Sequence, residues 1–231
     1  MLAQDTFFLD WSSVQLVVFD MDGTLYDQRT VRHSMLRLLL ADALSSRSLR
    51  TLRVLRTFRR LRESLAEHEA KDFLRLQYEL TAEREGISPA LVRELTERWM
   101  EVLPLRYLAG ARYEAVDRLF DRLRRSGRKI AIWSDYPAVA KLQALALSAD
   151  LVCCANDPGI AALKPSPNGL VHIMERTGLG PQETLLIGDR VERDGAAARR
   201  VGTRALIRTS SPAPGFDCFD SFAAPLFDHI E

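Results

Sequence analysis

The sequence predicts an α/β protein: a Rossmann-like, doubly wound parallel sheet that carries an inserted α-helical domain. Short runs of apolar, mostly branched residues alternate with amphipathic helical segments between residues 110 and 207. Strands and helices in alternation produce a parallel sheet with helices on both faces. One more apolar run, Leu16–Phe19, precedes this region, and a long stretch with only helical periodicity separates the two. That stretch is therefore predicted to be an insertion into the α/β domain.

The α/β part contains strand and helix signals at short intervals. The apolar runs predicted as strands are residues 16–19, 129–133, 151–155, 184–187 and 203–207. The predicted helices are residues 113–123, 137–147, 167–178 (with Ser166 as the N-cap residue) and 195–201. Residues 211–231 contain four phenylalanines, and we expect this tail to pack back on the core.

The insertion is typical of a small bundle of helices. Apolar residues recur at helical spacing in residues 31–43, 49–61, 70–80 and 89–102. Ser88 and Pro89 are a suitable N-cap and first residue for the last of these helices, and Pro104 follows its end. We therefore predict a core domain of residues 1–28 and 107–231 and a helical domain of residues 29–106, joined by linkers near residues 26–30 and 104–109.

Size, charge and cysteine content exclude several classes of protein. The 231 residues are 47% hydrophobic and 27% charged, as in ordinary globular proteins, and the net charge of +1 provides no global attraction to nucleic acid or membranes. No apolar run approaches the about 20 residues that span a bilayer, and residues 1–11 lack the basic start of a secretory signal. Three cysteines, two of them adjacent, are a poor disulfide framework. We expect a cytoplasmic protein with no membrane partner, and we do not expect nucleic acid as a partner.

Polar residues follow the predicted strands in four places. They are Asp20-Met21-Asp22-Gly23-Thr24, Ser134, Lys164-Pro165, and Gly188-Asp189 with Asp194. An Asp-x-Asp pair by itself is more typical of an acidic turn. The carboxyl ends of parallel strands, however, lie at one edge of the sheet, where ligands bind. The four groups together therefore predict an active site at this edge.

In this order and spacing, the four motifs resemble those of the haloacid dehalogenase (HAD) superfamily, and specifically its Mg²⁺-dependent phosphatase branch with a type-1 helical cap. The resemblance covers the α/β core, about residues 16–28 and 109–208, and the helical insertion has the position of the cap. It implies hydrolysis of a small-molecule phosphate monoester through an aspartyl-phosphate intermediate, with Mg²⁺ as the cofactor.

The resemblance also implies which carboxylates react and which hold the metal. Asp20 would be the nucleophile, and Asp22 would act first as a general acid and then as a general base. Mg²⁺ would be held by the Asp20 carboxylate, the Asp22 backbone carbonyl and Asp189, with Asp194 bound directly or through water.

The substrate-binding residues implied by the resemblance are Ser134, Lys164 and Thr24. Bringing the Asp20 carboxylate to about 4 Å from a phosphate charge costs roughly 4 kcal/mol at an effective dielectric of 20, so positive counter-charge is essential. Lys164 would supply it, Ser134 would hydrogen-bond the phosphoryl oxygens, and Thr24 would orient Asp20 by a hydrogen bond. Arg190 could face the substrate or bridge to a carboxylate.

Other activities of the same superfamily remain open. A dehalogenase would share the nucleophile, but Asp22 disfavours it because a departing halide needs no proton donor. Phosphonatases of the superfamily have alanine at the position of Asp22, so that branch also fits less well. A phosphomutase would differ by excluding water after phosphoryl transfer, which a sequence scarcely reveals.

An arginine series in the insertion suggests an alternative of a different class. Its members are Arg47, Arg50, Arg53, Arg56, Arg59, Arg60 and Arg62. One interpretation is a surface that binds nucleic acid or an acidic partner. The other, which we favour, is a solvated face paired with the acidic residues that follow, namely Glu63, Glu67, Glu69 and Asp72. The complete set of catalytic residues disfavours a pure binding module, because such a module needs none of them.

Overall fold

A computed structural model of the chain describes residues 9–230. Within them six strands form one sheet in the order β3-β2-β1-β4-β5-β6, and neighbouring strands are parallel throughout. The strands are β1 (Leu16–Phe19), β2 (Lys129–Ser134), β3 (Leu151–Cys154), β4 (Thr184–Gly188), β5 (Arg204–Arg208) and β6 (Asp217–Phe219). The predicted α/β fold, with a helical insertion between β1 and β2, is confirmed.

The central strands are apolar because helices cover both faces of the sheet. All of Leu16–Phe19 is 0% exposed. Side chains alternate between faces along a strand, and accordingly Val17 and Phe19 join one core cluster while Leu16 and Val18 join the other. β1 thus lies in the middle of the molecule, with β2 and β4 on either side.

Helices make up the insertion and flank the sheet. The insertion contains α1 (Gln28–Ser46), α2 (Arg50–Glu67), α3 (Phe73–Glu85), α4 (Pro89–Thr96) and α5 (Leu105–Ala111), with a π-helical turn at Glu97–Val102. The remaining helices are α6 (Val116–Arg125), α7 (Val139–Ala144), α8 (Asn168–Thr177) and α9 (Ala196–Val201). Short turns lie at Pro181–Glu183, Val191–Gly195 and Pro225–Phe227. Within residues 9–230, no helix is both long and apolar enough to span a bilayer.

The segments predicted as linkers are largely helical. α1 already begins at Gln28, because the Asp27 side chain accepts a hydrogen bond from the backbone N–H of Arg29 and caps the helix. At the other end of the insertion, α5 occupies most of residues 104–109. The insertion therefore joins the sheet through helix ends rather than through extended segments.

Several predicted helix ends are wrong, and backbone conformation explains them. Ala115 and Ala146 have φ values of 66° and 54°, so α6 begins after the first and α7 ends before the second. Left-handed residues of this kind interrupt a right-handed helix. Pro167, rather than Ser166, is the N-cap residue of α8.

The C-terminal tail packs back on the core, as predicted, and adds a strand that the sequence did not reveal. β6 pairs with β5, and Phe219, Phe222 and Phe227 are buried in the core cluster that contains Phe19. The Trp11 indole donates a hydrogen bond to the Leu226 carbonyl at 2.7 Å. The sequence argument against a secretory signal concerned residues 1–11. Residues 1–8 of this stretch lie outside the described residues, as does residue 231.

The packing of Gly169 in α8 against Trp133 of β2 predicts a stability effect. A Cβ at position 169 would lie 2.0 Å from Trp133 Nε1, and Trp133 is fully buried. We expect Gly169→Ala to lower the free energy of unfolding by about 1–3 kcal/mol through overpacking, measured by urea denaturation. Gly110→Ala is the matched control, because a Cβ there meets nothing within 4 Å and alanine favours the helix. Equal stability of the two variants would contradict this account of the packing.

Candidate active site

The carboxyl ends of β1, β2 and β4 bring the predicted site residues to one edge of the sheet. Asp20 follows β1 directly, Ser134 is the last residue of β2, and Asp189 follows β4. The chain leaves β1 towards β2 on one side and reaches β4 on the other side later, so the strand order reverses here. Open α/β sheets bind their ligands at such a point.

Three carboxylates gather around one buried ammonium. One oxygen from each of Asp20, Asp189 and Asp194 lies within 4.8 Å of the other two. Lys164 Nζ is 2.7 Å from Asp20 Oδ1 and 2.7 Å from Asp194 Oδ1, and the lysine is 2% exposed. Thr24 Oγ1 donates a hydrogen bond to Asp20 Oδ2 at 2.9 Å, which is the contact expected from the sequence.

Charge in this cluster is not balanced by the side chains alone. Burial raises the pKa of Asp20 well above its usual value; Lys164 opposes this, while Asp194 and Asp189 add to it. Burial and the Asp194 charge raise the pKa of Asp189 to about 7. Asp189 Oδ1 is buried without a hydrogen-bond partner, and an unpartnered buried carboxylate oxygen is costly. A hard divalent cation prefers such oxygen ligands, so the residues present fit the predicted Mg²⁺.

Two glycines allow the backbone to approach this cluster. Gly23 has a φ of 99°, a conformation that other residues avoid, and a Cβ there would lie 2.3 Å from Asp189 Oδ2. A Cβ at Gly188 would lie 2.3 Å from Asp194 Cγ. The glycines in the first and fourth motifs are therefore required by the close approach of the carboxylates.

Asp22 is held by different partners. Lys141 Nζ lies 2.6 and 2.7 Å from its two carboxylate oxygens, and the Tyr26 hydroxyl donates to Oδ1. Burial raises the pKa of Asp22, but Lys141 and Tyr26 outweigh burial, so the pKa lies below its usual value. In this arrangement Asp22 is a carboxylate, the form that accepts a proton.

Sequence reasoning missed Lys141. A lone lysine in a helical segment is usually a surface residue, whereas Lys141 is only 7% exposed. The available signal was its place in the chain: Lys141 lies in the first turn of α7, shortly after β2. A helix that starts there must begin at the edge of the sheet that carries Asp20.

The remaining polar residues near the site are bonded to the protein itself. Ser134 Oγ accepts a hydrogen bond from the backbone N–H of Tyr136 at 3.2 Å, and Asp135 Oδ1 accepts one from the backbone N–H of Lys164 at 3.0 Å. Arg190 bridges to carboxylates, at 2.9 Å from Glu192 and 3.3 Å from Glu63. Of the two alternatives for Arg190, the structure shows the bridge.

The predicted pairing of the arginine series with the acidic residues after it is wrong. The observed pairs are Glu63 with Arg190 and Arg193, Glu69 with Arg200, and Asp72 with Arg75. Glu63 and Glu69 reach arginines of the α/β core, whereas Asp72 pairs within the insertion. The arginines are exposed except for Arg62, and among the exposed ones described only Arg53 forms an ion pair, with Glu85 at 3.7 Å.

The chain matches one protein family and a number of solved structures. A family model described as haloacid dehalogenase-like hydrolase matches residues 14–202. Similar solved structures include a 2-haloacid dehalogenase from Pseudomonas syringae pv. Tomato DC3000, with 19% identity, a TM-score of 0.61 and coverage of 90% of this chain and 95% of that one. A HAD phosphatase from Thermococcus onnurineus has 19% identity, a TM-score of 0.56 and coverage of 90% and 94%.

A third similar structure was determined with a metal. YfnB of Bacillus subtilis, a proposed HAD-hydrolase bound to magnesium, has 17% identity, a TM-score of 0.62 and coverage of 88% of this chain and 93% of that one. No curated protein matches the sequence. At these identities the solved structures establish the fold alone.

Competition between protons and Mg²⁺ for the carboxylate cluster predicts a pH dependence. The pKa of Asp189 is about 7, so below this pH the carboxyl is protonated and must lose a proton to bind a cation. Above this pH Asp189 is already ionised. We therefore expect a fixed Mg²⁺ concentration to raise the melting temperature more at about pH 8 than at about pH 6. Differential scanning fluorimetry measures this shift. Asp189→Asn should reduce it at both pH values, and a wild-type shift that does not change with pH would contradict the assignment.

Proposed function

This chain belongs to the haloacid dehalogenase-like hydrolases, and on that premise we propose that it is a Mg²⁺-dependent phosphatase of a small phosphate monoester. The proposal depends chiefly on the position and bonding of Asp22. It is a second carboxylate beside the nucleophile position, with a side chain that is 15% exposed, and Lys141 and Tyr26 hold it in place. A departing alcohol needs a proton, which Asp22 can supply, whereas a departing halide does not.

Asp20 is the nucleophile in the proposed reaction. Lys164 binds its Oδ1 and Thr24 binds its Oδ2, so the carboxylate has a defined orientation before substrate arrives. One of its oxygens attacks phosphorus, the bond from phosphorus to the ester oxygen breaks, and an aspartyl-phosphate forms. Because Lys141 and Tyr26 keep Asp22 ionised in the free protein, Asp22 must first take up a proton from solvent; it then gives this proton to the leaving alcohol and becomes a carboxylate again.

The second step hydrolyses the aspartyl-phosphate. The Asp22 carboxylate removes a proton from water, the water oxygen bonds to phosphorus, and Asp20 is released together with inorganic phosphate. Lys141 stabilises the carboxylate form of Asp22, which is the product of the first step and the reactant of the second. The pairing of Asp22 with Lys141 therefore supports its role as the general base of the second step.

Mg²⁺ and two polar side chains complete the proposed site. Asp20, the Asp22 backbone carbonyl and Asp189 would hold the cation, with Asp194 bound directly or through water. When bound, Mg²⁺ supplies positive charge that offsets repulsion between the nucleophile and the anionic phosphoryl group. Lys164 and Ser134, both buried at this edge, would bind the phosphoryl oxygens.

We also propose that residues 29–106 form a cap domain on a core of residues 1–28 and 107–231. The contacts of α2 with the loops around Asp135 and Arg193 support this, because they place the insertion next to the site. A cap that closes would exclude water and select the substrate.

Cys153, Cys154 and Cys218 are unpaired, which is consistent with the reducing, cytoplasmic location predicted from the sequence.

Substitutions at Asp20 and Asp22 test the proposed chemistry through release of inorganic phosphate. We expect wild type to hydrolyse an aryl phosphate only with Mg²⁺, and Asp20→Asn to lose activity by on the order of 10⁴-fold or more, because an amide is not a nucleophile. Asp22→Asn should slow phosphate release about 10²–10⁴-fold with alkyl and aryl phosphates alike, because hydrolysis of the intermediate needs the base; release of the aryl alcohol in the first turnover, which needs no proton, should be slowed less.

Asp27→Asn is the matched control for these substitutions, because Asp27 caps α1 and asparagine caps equally well. Its activity should equal that of wild type. Release of chloride from a 2-chloro acid, without phosphatase activity, would instead identify a dehalogenase. Transfer of phosphate between positions of a sugar phosphate without release would identify a phosphomutase.

The exposed arginines of α2 favour a second candidate function, the binding of an acidic partner such as RNA. Arg50, Arg56 and Arg60 are exposed on one helix and form no ion pair within the described residues. Positive charge without acidic partners attracts phosphate groups. This function would use a surface of the insertion and is compatible with the phosphatase site.

Salt dependence distinguishes such binding from incidental attraction. If α2 binds single-stranded RNA, the logarithm of the association constant should fall linearly with the logarithm of salt concentration. Replacing Arg50, Arg56 and Arg60 with glutamine should then reduce the slope by about 2, because each phosphate contact contributes about 0.7. Fluorescence anisotropy measures both slopes. No binding at low salt would remove this candidate.

A further inference from the structure

Arg62, near the end of α2, reaches from the helical insertion to the loop after β2. Its Nη2 donates a hydrogen bond to the Asp135 carbonyl, one residue beyond Ser134. The guanidinium lies 4.1 Å from the centroid of the Tyr136 ring, and Nη1 donates to Gln77 of α3 at 2.7 Å. At 5% exposure, Arg62 is the buried member of an otherwise exposed series. It therefore connects the cap to the loop that carries Ser134.

Glu63, the next residue, reaches the opposite side of the site. Its Oε2 is 2.5 Å from Arg193 Nη2, and its two carboxylate oxygens are each 3.3 Å from an Arg190 nitrogen. Arg193 is itself 5% exposed and donates through Nη1 to the Lys164 carbonyl at 2.5 Å. Glu63 is therefore connected, through Arg193, to the backbone of the lysine that binds Asp20.

Burial of Arg193 makes the Glu63 contact energetically important. A buried guanidinium that loses its carboxylate partner is strongly unfavourable. Burial raises the pKa of Glu63, but its hydrogen bond with Arg190 and the charges of Arg190 and Arg193 lower it below its usual value, so Glu63 is ionised. If the cap moved away from the core, Arg193 would lose this partner while keeping its bond to the Lys164 backbone.

We propose that Arg62 and Glu63 are positioning residues that couple closure of the cap to the placement of Ser134 and Lys164. The inference rests on the proposed function and extends it to how the site is assembled. Two adjacent residues of one helix contact loops on both sides of Asp20, so a single movement of α2 makes or breaks both contacts. Substrate entry requires the open arrangement, and the closed arrangement sets the phosphate-binding groups.

Glu63→Gln tests the proposal, with Glu69→Gln as its matched control. Glu69 also joins the cap to the core, through Arg200 of α9 at 2.7 Å, and its side chain is 47% exposed against 53% for Glu63. Neither residue is fully buried, so both variants should fold, which the melting temperature confirms. The two variants differ in that only the Glu63 contact leads to the site loops.

Hydrogen exchange measured by mass spectrometry reports the coupling without requiring any activity. We expect Glu63→Gln to increase amide exchange in residues 134–136, 163–166 and 189–195, and Glu69→Gln to leave these segments as in wild type. Equal exchange in the two variants would overturn the proposal. A wild type without phosphatase activity would contradict the proposed function, while the exchange comparison would still decide the coupling.

Steady-state kinetics then give the consequence for the reaction. Displacement of a positioned group by about 1 Å costs about 10²-fold in rate, so Glu63→Gln should lower kcat by 10- to 100-fold and Glu69→Gln by less than 2-fold. The loss should lie in kcat because closure follows substrate binding. A change confined to KM, or the same loss in both variants, would show that Glu63 acts only as one of several ion pairs between the two parts.

Discussion

The two ion pairs of Lys164, with Asp20 and Asp194, are the interaction on which the rest of the site depends. Burial lowers the pKa of this lysine, but Asp194 and Asp20 raise it more, so it is charged. Its backbone is held as well: the N–H donates to Asp135 and the carbonyl accepts from Arg193. Through this one residue the loops after β1, β2 and β4 are linked, and groups that would otherwise repel remain together.

The same cluster of charges explains why a cation fits this site and how the insertion contacts it. Burial and the Asp194 charge raise the pKa of Asp189, and one ammonium does not balance three carboxylates, so the cluster fits Mg²⁺. Lys141 neutralises the carboxylate of Asp22, the proposed general acid and base, separately from the ion pairs of Lys164. The insertion is connected to the loops of the cluster by Arg62 and Glu63, which makes the cap part of the site's framework.

Features that a local sequence pattern determines could be predicted from the sequence. Features that depend on contacts between residues far apart in the chain could not. β1 and Asp20 were predictable because a short apolar run ends in carboxylates, and the sheet edge brings the other motifs to the same place. β6 was not, because three residues carry too little periodicity. Lys141 and the pair of Glu63 with Arg193 depend on how helices pack against the core, and no local pattern records a contact between residues 130 positions apart.

Detection of a phosphorylated Asp20 tests the central claim most directly. Asp22→Asn mixed with an aryl phosphate and Mg²⁺ should accumulate the aspartyl-phosphate. The aryl leaving group of the first step needs no acid, whereas the second step needs the Asp22 carboxylate as its base. Intact-mass spectrometry should show the addition of one phosphoryl group, and borohydride reduction should locate it at Asp20. Consumption of substrate without a covalent phosphoryl group, or with the group on another residue, would contradict the account.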